Sequence, residues 1–151
     1  KDEAKALKLL KNPNIDVSLA SRASENALHW AIGRKFPGIA RELVQMMPEA
    51  ALNQANCYGT TPLAAAINTA DLATFHQLLQ HPGVDVNKRV GQYGLIHPVL
   101  EAIRHKRLDM AQMLLDHPDT QLKLLRDKKG NFQHRLQKLL DKGKLTLPPR
   151  Y

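Results

Sequence analysis

The residues of this chain that could do chemistry are few and scattered. Seven histidines and one cysteine, Cys57, stand among 151 residues. A metal site needs His, Cys, Asp or Glu at ligand spacing, and nothing here reads as a zinc set. No metal or cofactor is expected. A nucleophile at Cys57, beside Tyr58 in a turn, needs a base, and none is identifiable. The chain has no glycine-rich phosphate loop, no His-Glu-x-x-His and no nucleophile elbow. No catalytic residue is assigned, and the sequence is read as not an enzyme. His81 and His117 each precede a proline after a Leu-Leu pair. Histidines that recur in the same context point to structure, such as bonding a last-turn carbonyl and complementing a helix dipole.

That recurrence belongs to a larger one. Shifted by 36 residues, the stretch from Thr61 to Pro82 falls on the stretch from His97 to Pro118 without a gap. Pro62, Ala66, Ile67, Leu72, Leu78, Leu79, His81 and Pro82 all meet identical residues. A shift of 35 places Asn26 to Ile32 on Thr61 to Ile67, and a shift of 69 places Leu9 to Ser18 on Leu78 to Asn87. A single unit of 34 to 36 residues accounts for every register.

Each unit reads as two short helices. Thr61 is placed to cap the first and Pro62 to occupy its first position. Leu63, Ala66 and Ile67 share one face at helical spacing. Leu72, Phe75, Leu78 and Leu79 form the buried face expected of the second helix. His81-Pro82-Gly83 ends it, because proline disfavours helix in the residue before it. An extended piece, Val84 to Asn87, leads to a polar turn. Helices this short are unstable alone in water, so stacking must bury their apolar faces.

Gly59-Thr60-Thr61-Pro62-Leu63-Ala64-Ala65-Ala66, Leu78-Leu79 and Asp85-Val86-Asn87 together resemble the ankyrin repeat, and the resemblance covers roughly residues 5 to 122. Asn26 to Ala31 matches half-way and His97 to Ala102 is more divergent. The resemblance implies an all-α fold, an ankyrin-type helical solenoid of stacked helix-turn-helix repeats joined by hairpin-like loops. One domain spans 1–151: a partial repeat or N-terminal cap at 1–20, repeats at 21–55, 56–90 and 91–126, and a shortened C-terminal cap with tail at 127–151. The cap is read as one helix from Phe132 to Lys142, with Leu136, Leu139 and Leu140 inward. The sequence begins at Lys1 and is read as a segment of a longer protein.

The resemblance also implies a protein-binding module whose turn tips and first helices line a concave surface. The implied tips are Ser18 to Ser24, Asn53 to Tyr58, Asn87 to Tyr93 and Lys123 to Lys129. Carried over to that surface, the protein-binding residues are Trp30, Arg34, Tyr58, Asn68, Lys88, Arg89, Tyr93, Arg104, His105 and Lys106. Trp30 stands where other units place Ala65 and Glu101, and exchange with Glu argues for exposure. An exposed Trp is an anchor candidate, with packing against an imperfect first repeat as the equal alternative. Arg104 to Arg107, Lys88-Arg89 and Lys128-Lys129 read either as one basic strip or, the plainer reading, as solvated charged turns. By the same resemblance, Leu79 followed by Asp85-Val86-Asn87 is similar to the context in which ankyrin asparagines are hydroxylated, with turn stabilisation as the plainer role for Asn87.

Composition sets bounds on these expectations. Hydrophobic residues make up 43% and charged residues 24%, as in ordinary soluble domains, and no apolar run is long enough to span a bilayer. The lone cysteine is consistent with a reducing compartment. Net charge is +8, and it is lopsided: residues 1–75 carry 8 Lys/Arg against 7 Asp/Glu, residues 76–151 carry 14 against 7. The basic half points to a partner protein with an acidic surface. Two alternatives stand beside that reading: an electrostatic binder of nucleic acid or anionic membrane, and a scaffold that positions a catalytic domain elsewhere in the parent chain. No small-molecule substrate is expected, and capped stacks of this kind are expected to be monomeric. The divergent repeats resemble ankyrin segments of secreted bacterial effectors, which implies a cytoplasmic site of action or delivery into a host cell.

Overall fold

The computed structural model describes residues 3–127 and 129–149. Among them the regular elements are helices. Three isolated antiparallel bridges, Ala20–Asn26, Val90–Ile96 and Arg126–Phe132, pinch the connecting loops into hairpin-like fingers. The chain opens with α1 (Glu3–Leu10). Three helix pairs follow: α2 (Ala27–Gly33) with α3 (Pro37–Met46), α5 (Pro62–Thr69) with α6 (Leu72–Gln80), and α7 (Pro98–Arg104) with α8 (Leu108–Asp116). A single helical turn, α4 (Glu49–Leu52), follows α3, a 3-10 turn covers Leu122–Leu125, and α9 (His134–Asp141) closes the array.

The helices stack in two rows. First helices touch in the order α2, α5, α7, α9, and second helices in the order α1, α3, α6, α8. Among the described residues the first helix therefore lies in the second row and the last helix in the first row.

Local chemistry sets each boundary. Asn26, Thr61 and His97 occupy equivalent positions before the first helices, and each side chain accepts from backbone N–H groups of the first turn. Pro62 and Pro98 follow two of these caps, where a missing N–H costs nothing. The second helices stop at Met47, His81 and His117, each before a proline and each extended, with ψ of 142°, 122° and 130°. The turn inside each pair runs through a left-handed residue at the same place: Lys35, Ala70 and Lys106, with φ of 58°, 58° and 59°.

The core follows the repeat. Ala31, Ala66 and Ala102 are buried at matching positions of the first helices, where a small side chain lets neighbouring helices approach closely. Leu28, Ile32, Leu63, Ile67, Val99 and Ile103 surround them, with Leu43, Phe75, Leu78, Leu114 and Leu115 from the second row. Leu72, expected on the buried face, is instead 46% exposed. It is the first residue of α6, and the inward face begins at Thr74 and Phe75.

The last helix starts at His134, two residues later than expected, because Phe132 is engaged in the bridge with Arg126. Leu136 is fully buried, and Leu139 and Leu140 pack against the core. The chain after α9 then lies against the outer row. Leu145 and Pro148 are buried, and the carboxamide of Gln112 on α8 clasps the Thr146 backbone from both sides, with N–H to Oε1 at 2.9 Å and Nε2 to O at 3.1 Å. An extended strap thus lies beside α8 in place of a further second-row helix.

Candidate functional site

Hydrogen bonds running from unit to unit hold the surface in shape. Asn53 donates to Gly83 O at 2.6 Å and accepts from Asp85 N at 2.7 Å. One unit on, Asn87 repeats the arrangement: its amide donates to Asp119 O at 2.8 Å and its oxygen accepts from Gln121 N at 2.8 Å. In the opening half unit Ser18 stands in that place, and its hydroxyl turns back onto Asp16.

Three histidines serve this scaffold. His29 accepts from Asn26 N through Nδ1 and donates through Nε2 to Thr60 O, 2.9 Å away in the next unit. His117 accepts from Asp119 N and donates to Leu79 O at 3.0 Å, a last-turn carbonyl of the preceding unit. His97 accepts from Val99 N and its Nε2 donates to Asn87 Oδ1 at 3.2 Å. His97 and His29 both titrate below the usual histidine range, His97 at about 4, because burial penalises the imidazolium. For His97 the nearby Arg89 lowers it further.

Fingers contact fingers. Cys57 N donates to Ala23 O at 2.8 Å, and Gly91 N donates to Gly59 O at 2.9 Å. The finger tips expose large apolar side chains: Leu19, Tyr58, Tyr93 and Leu95 are 67–78% exposed, with Tyr58 at 68% and Tyr93 at 78%. Lys88 and Arg89 are exposed at the base of one finger, where the Arg89 guanidinium donates to Leu95 O at 2.9 Å.

Trp30 is 48% exposed, and the Arg34 guanidinium lies over its ring, 5.2 Å from the centroid. The exposure does not come from the exchange with Glu101. That glutamate is only 4% exposed and faces α5, bonded to Arg104 at 3.1 Å and His105 at 3.3 Å. Asn68, with its amide nitrogen turned inward, donates to the same carboxylate. Among the described residues α1 lies in the second row, and no first-row helix stacks on the Trp30 face of α2. The resulting groove holds about 460 Å³ and is lined by Leu9, Leu10, Ile15, Phe36 and Ile39 beside Trp30.

The basic residues are grouped differently from the sequence reading. Lys88 and Arg89 precede α7, whereas Arg104 ends it and Lys106 follows, so the helix length of about 10 Å separates them. Lys128 lies outside the described residues. Arg104 and Lys106 instead share a cavity of about 600 Å³ with Arg135, Lys138, Lys142 and Lys144. The sequence reading missed these four. The signal was present, because Arg135, Lys138 and Lys142 recur at helical spacing on one face of α9, but such a run on one element reads as a solvated face. The tip expected at Lys123 is also displaced: Leu122 and Leu125 are buried in the 3-10 turn, and the last finger begins at Arg126.

Among the described residues no group of three or more His, Cys, Asp or Glu is placed to hold a metal, and no helix is long and apolar enough to cross a membrane. Cys57 is exposed.

Comparison with known proteins places this architecture. A family model for ankyrin repeats in three copies matches residues 1–90. Among solved structures, the ankyrin repeat domain of Bcl-3, described as a unique member of the IkappaB protein family, superposes with a TM-score of 0.70 at 22% identity. The match covers 93% of this chain and 60% of that chain, and at this identity it speaks for the fold alone. No curated protein matches the chain in sequence. The family model covers more than half the chain, the two rows of stacked helices extend the same unit through α8, and the chain belongs to the ankyrin repeat family.

Proposed function

We propose that this chain is a protein-binding module that engages a partner with an acidic surface through its inner helices and finger tips. Ankyrin repeats serve in general as protein-interaction modules and as non-catalytic scaffolds. One observation carries the finer reading. Trp30, Tyr58, Tyr93 and Leu95 stand exposed on elements whose backbones are fixed to their neighbours. Rigidly held aromatic side chains bind at low entropic cost. The basic C-terminal half supplies long-range attraction to the acidic partner.

The test is capture of partners from a cell lysate by the wild-type chain and by a Trp30→Ala, Arg104→Gln, Lys106→Glu variant whose helicity is checked by circular dichroism. Gln replaces Arg104 because a carboxylate there would face Glu101. The expected result is a partner retained by the wild type and lost by the variant. Retention only of nucleic acid that washes off with moderate salt favours the electrostatic alternative. Equal retention by both proteins removes the assigned face.

Asn87 hydroxylation belongs to the same reading, since it would make the module a substrate of an oxygen-dependent enzyme. Both ends of the Asn87 amide are bonded across the seam, so the side chain has to leave Asp119 and Gln121 to be modified. The expected signature is a mass increase of one oxygen on the peptide containing Asn87. An unshifted peptide from cells that hold the enzyme leaves this residue a structural staple only.

A further inference from the structure

The cavity holding Arg104 and Lys106 continues along the inner surface. A second cavity of about 340 Å³ shares Ile103, Arg104 and Arg135 with it and reaches the finger at Leu95 and Ile96. Together they form one groove between α7 and α9, running from finger to intra-pair turn. Its two kinds of wall differ in chemistry. Leu95, Ile96, Leu100, Ile103, Leu108 and Leu139 give an apolar floor. Arg104, Lys106, Arg135, Lys138, Lys142 and Lys144 give a rim of one sign, and no carboxylate lines either cavity.

Arg104 is held at the rim by Glu101, whose carboxylate is buried and has one oxygen without a partner. Among the described residues none of the other five rim cations is paired with a carboxylate. Like charges gathered around a concave surface repel one another and focus a positive potential into it. An anionic occupant relieves that repulsion. Charge alone does not fill the floor, which offers aliphatic carbon at the centre. No Phe, Tyr or Trp lines the groove, so it lacks the large aromatic rings on which successive bases stack in single-strand binders.

We infer that the groove between α7 and α9 docks an acidic amphipathic peptide segment of a partner protein. Its apolar side chains lie on the Leu100, Ile103 and Leu139 floor, and its carboxylates meet the rim cations. This deepens the protein-binding reading and rests on it. The groove is distinct from the Trp30 groove at the opposite end of the stack, so the two are testable apart.

The probe is a fluorescein-labelled peptide with Leu at i, i+3, i+4 and i+7 and Glu on the flanks, followed by fluorescence anisotropy. The expected result is saturable binding that an Arg135→Glu, Lys138→Glu, Lys142→Glu variant weakens by about tenfold or more. Arg135 and Lys138 are exposed on α9, and Lys142 is exposed at its C-terminal cap. A parallel Gln triple variant removes charge while retaining helix formers, and covers the case in which charge reversal unfolds the cap. A peptide of equal charge with each Leu replaced by Ser is expected to bind about tenfold more weakly. Equal binding by that peptide, or tighter binding by oligothymidine or by phosphatidylserine vesicles, overturns the inference in favour of charge alone. Absence of binding by the leucine peptide overturns it outright. If a lysate partner is retained by the α9 variant yet lost by Trp30→Ala, the groove inference falls while the module reading stands. If neither peptide nor lysate partner binds, the module reading itself falls.

Discussion

Replacing Gly59 by Ala is expected to destabilise the stack by about 3 kcal/mol, read as a lowered urea midpoint with an unchanged slope. Two causes act together. Gly59 has φ of +71°, where a Cβ is strained. The added Cβ would also fall 2.0 Å from Gly91 O and 2.5 Å from Gly91 C, which are backbone atoms of the next finger. Relief requires the fingers to part, and that breaks the Gly91 N–H bond to Gly59 O. Gly94 separates the two causes. It has φ of +58° with nothing within 4 Å of its would-be Cβ, so Gly94→Ala is expected to cost only about 1 kcal/mol. Equal losses in the two variants would show that finger-to-finger approach contributes nothing.

Acid is expected to weaken the fold through His97 before most carboxylates titrate. Its folded pKa is about 4, against 6.5 as the ordinary value. Between these pH values the unfolded chain takes up a proton that the folded chain refuses, so stability falls as pH falls through this window. At pH 5 the loss from this one group is about 2 kcal/mol relative to pH 7.5, approaching about 3 near pH 4. His29, also held low by burial, adds loss in the same direction. The proton has nowhere favourable to go: Nε2 already donates to Asn87, and protonated Nδ1 would face the Val99 N–H it now accepts from. The measurement is urea unfolding at pH 7.5 and pH 5 for wild type and His97→Thr. Threonine caps the equivalent position at Thr61, so the variant retains the cap and removes the titration. A smaller pH dependence in the variant is expected. An unchanged difference would move the acid sensitivity to other groups.

The sequence made the repeat legible because its punctuation is local. Thr61-Pro62 and His97-Pro98 start helices, and the prolines after Met47, His81 and His117 stop them, through rules that act within a few residues. What involves two units was harder to see. The groove between α7 and α9 joins residues more than thirty positions apart, and neither half announces a partner. Trp30 was expected to be exposed by analogy with Glu101, yet Glu101 is buried, and Trp30 is open because no described first-row helix packs on its face of α2. Equivalent positions share a backbone setting but not a neighbour, and the neighbour decides. The strap over α8 was invisible for the same reason. Nothing near Thr146 signals that Gln112, 34 residues earlier, will clasp it.

The seam of asparagines gives the stack a direction in time. Asn53 finds its partners 30 and 32 residues later in the chain, and Asn87 finds its partners 32 and 34 residues later. On a translating ribosome each unit therefore emerges with these cross-unit bonds unmade, and a whole further unit must leave the exit tunnel before they can close. Maturation of one repeat waits on synthesis of the next. The nascent chain is consequently open longest at its growing edge.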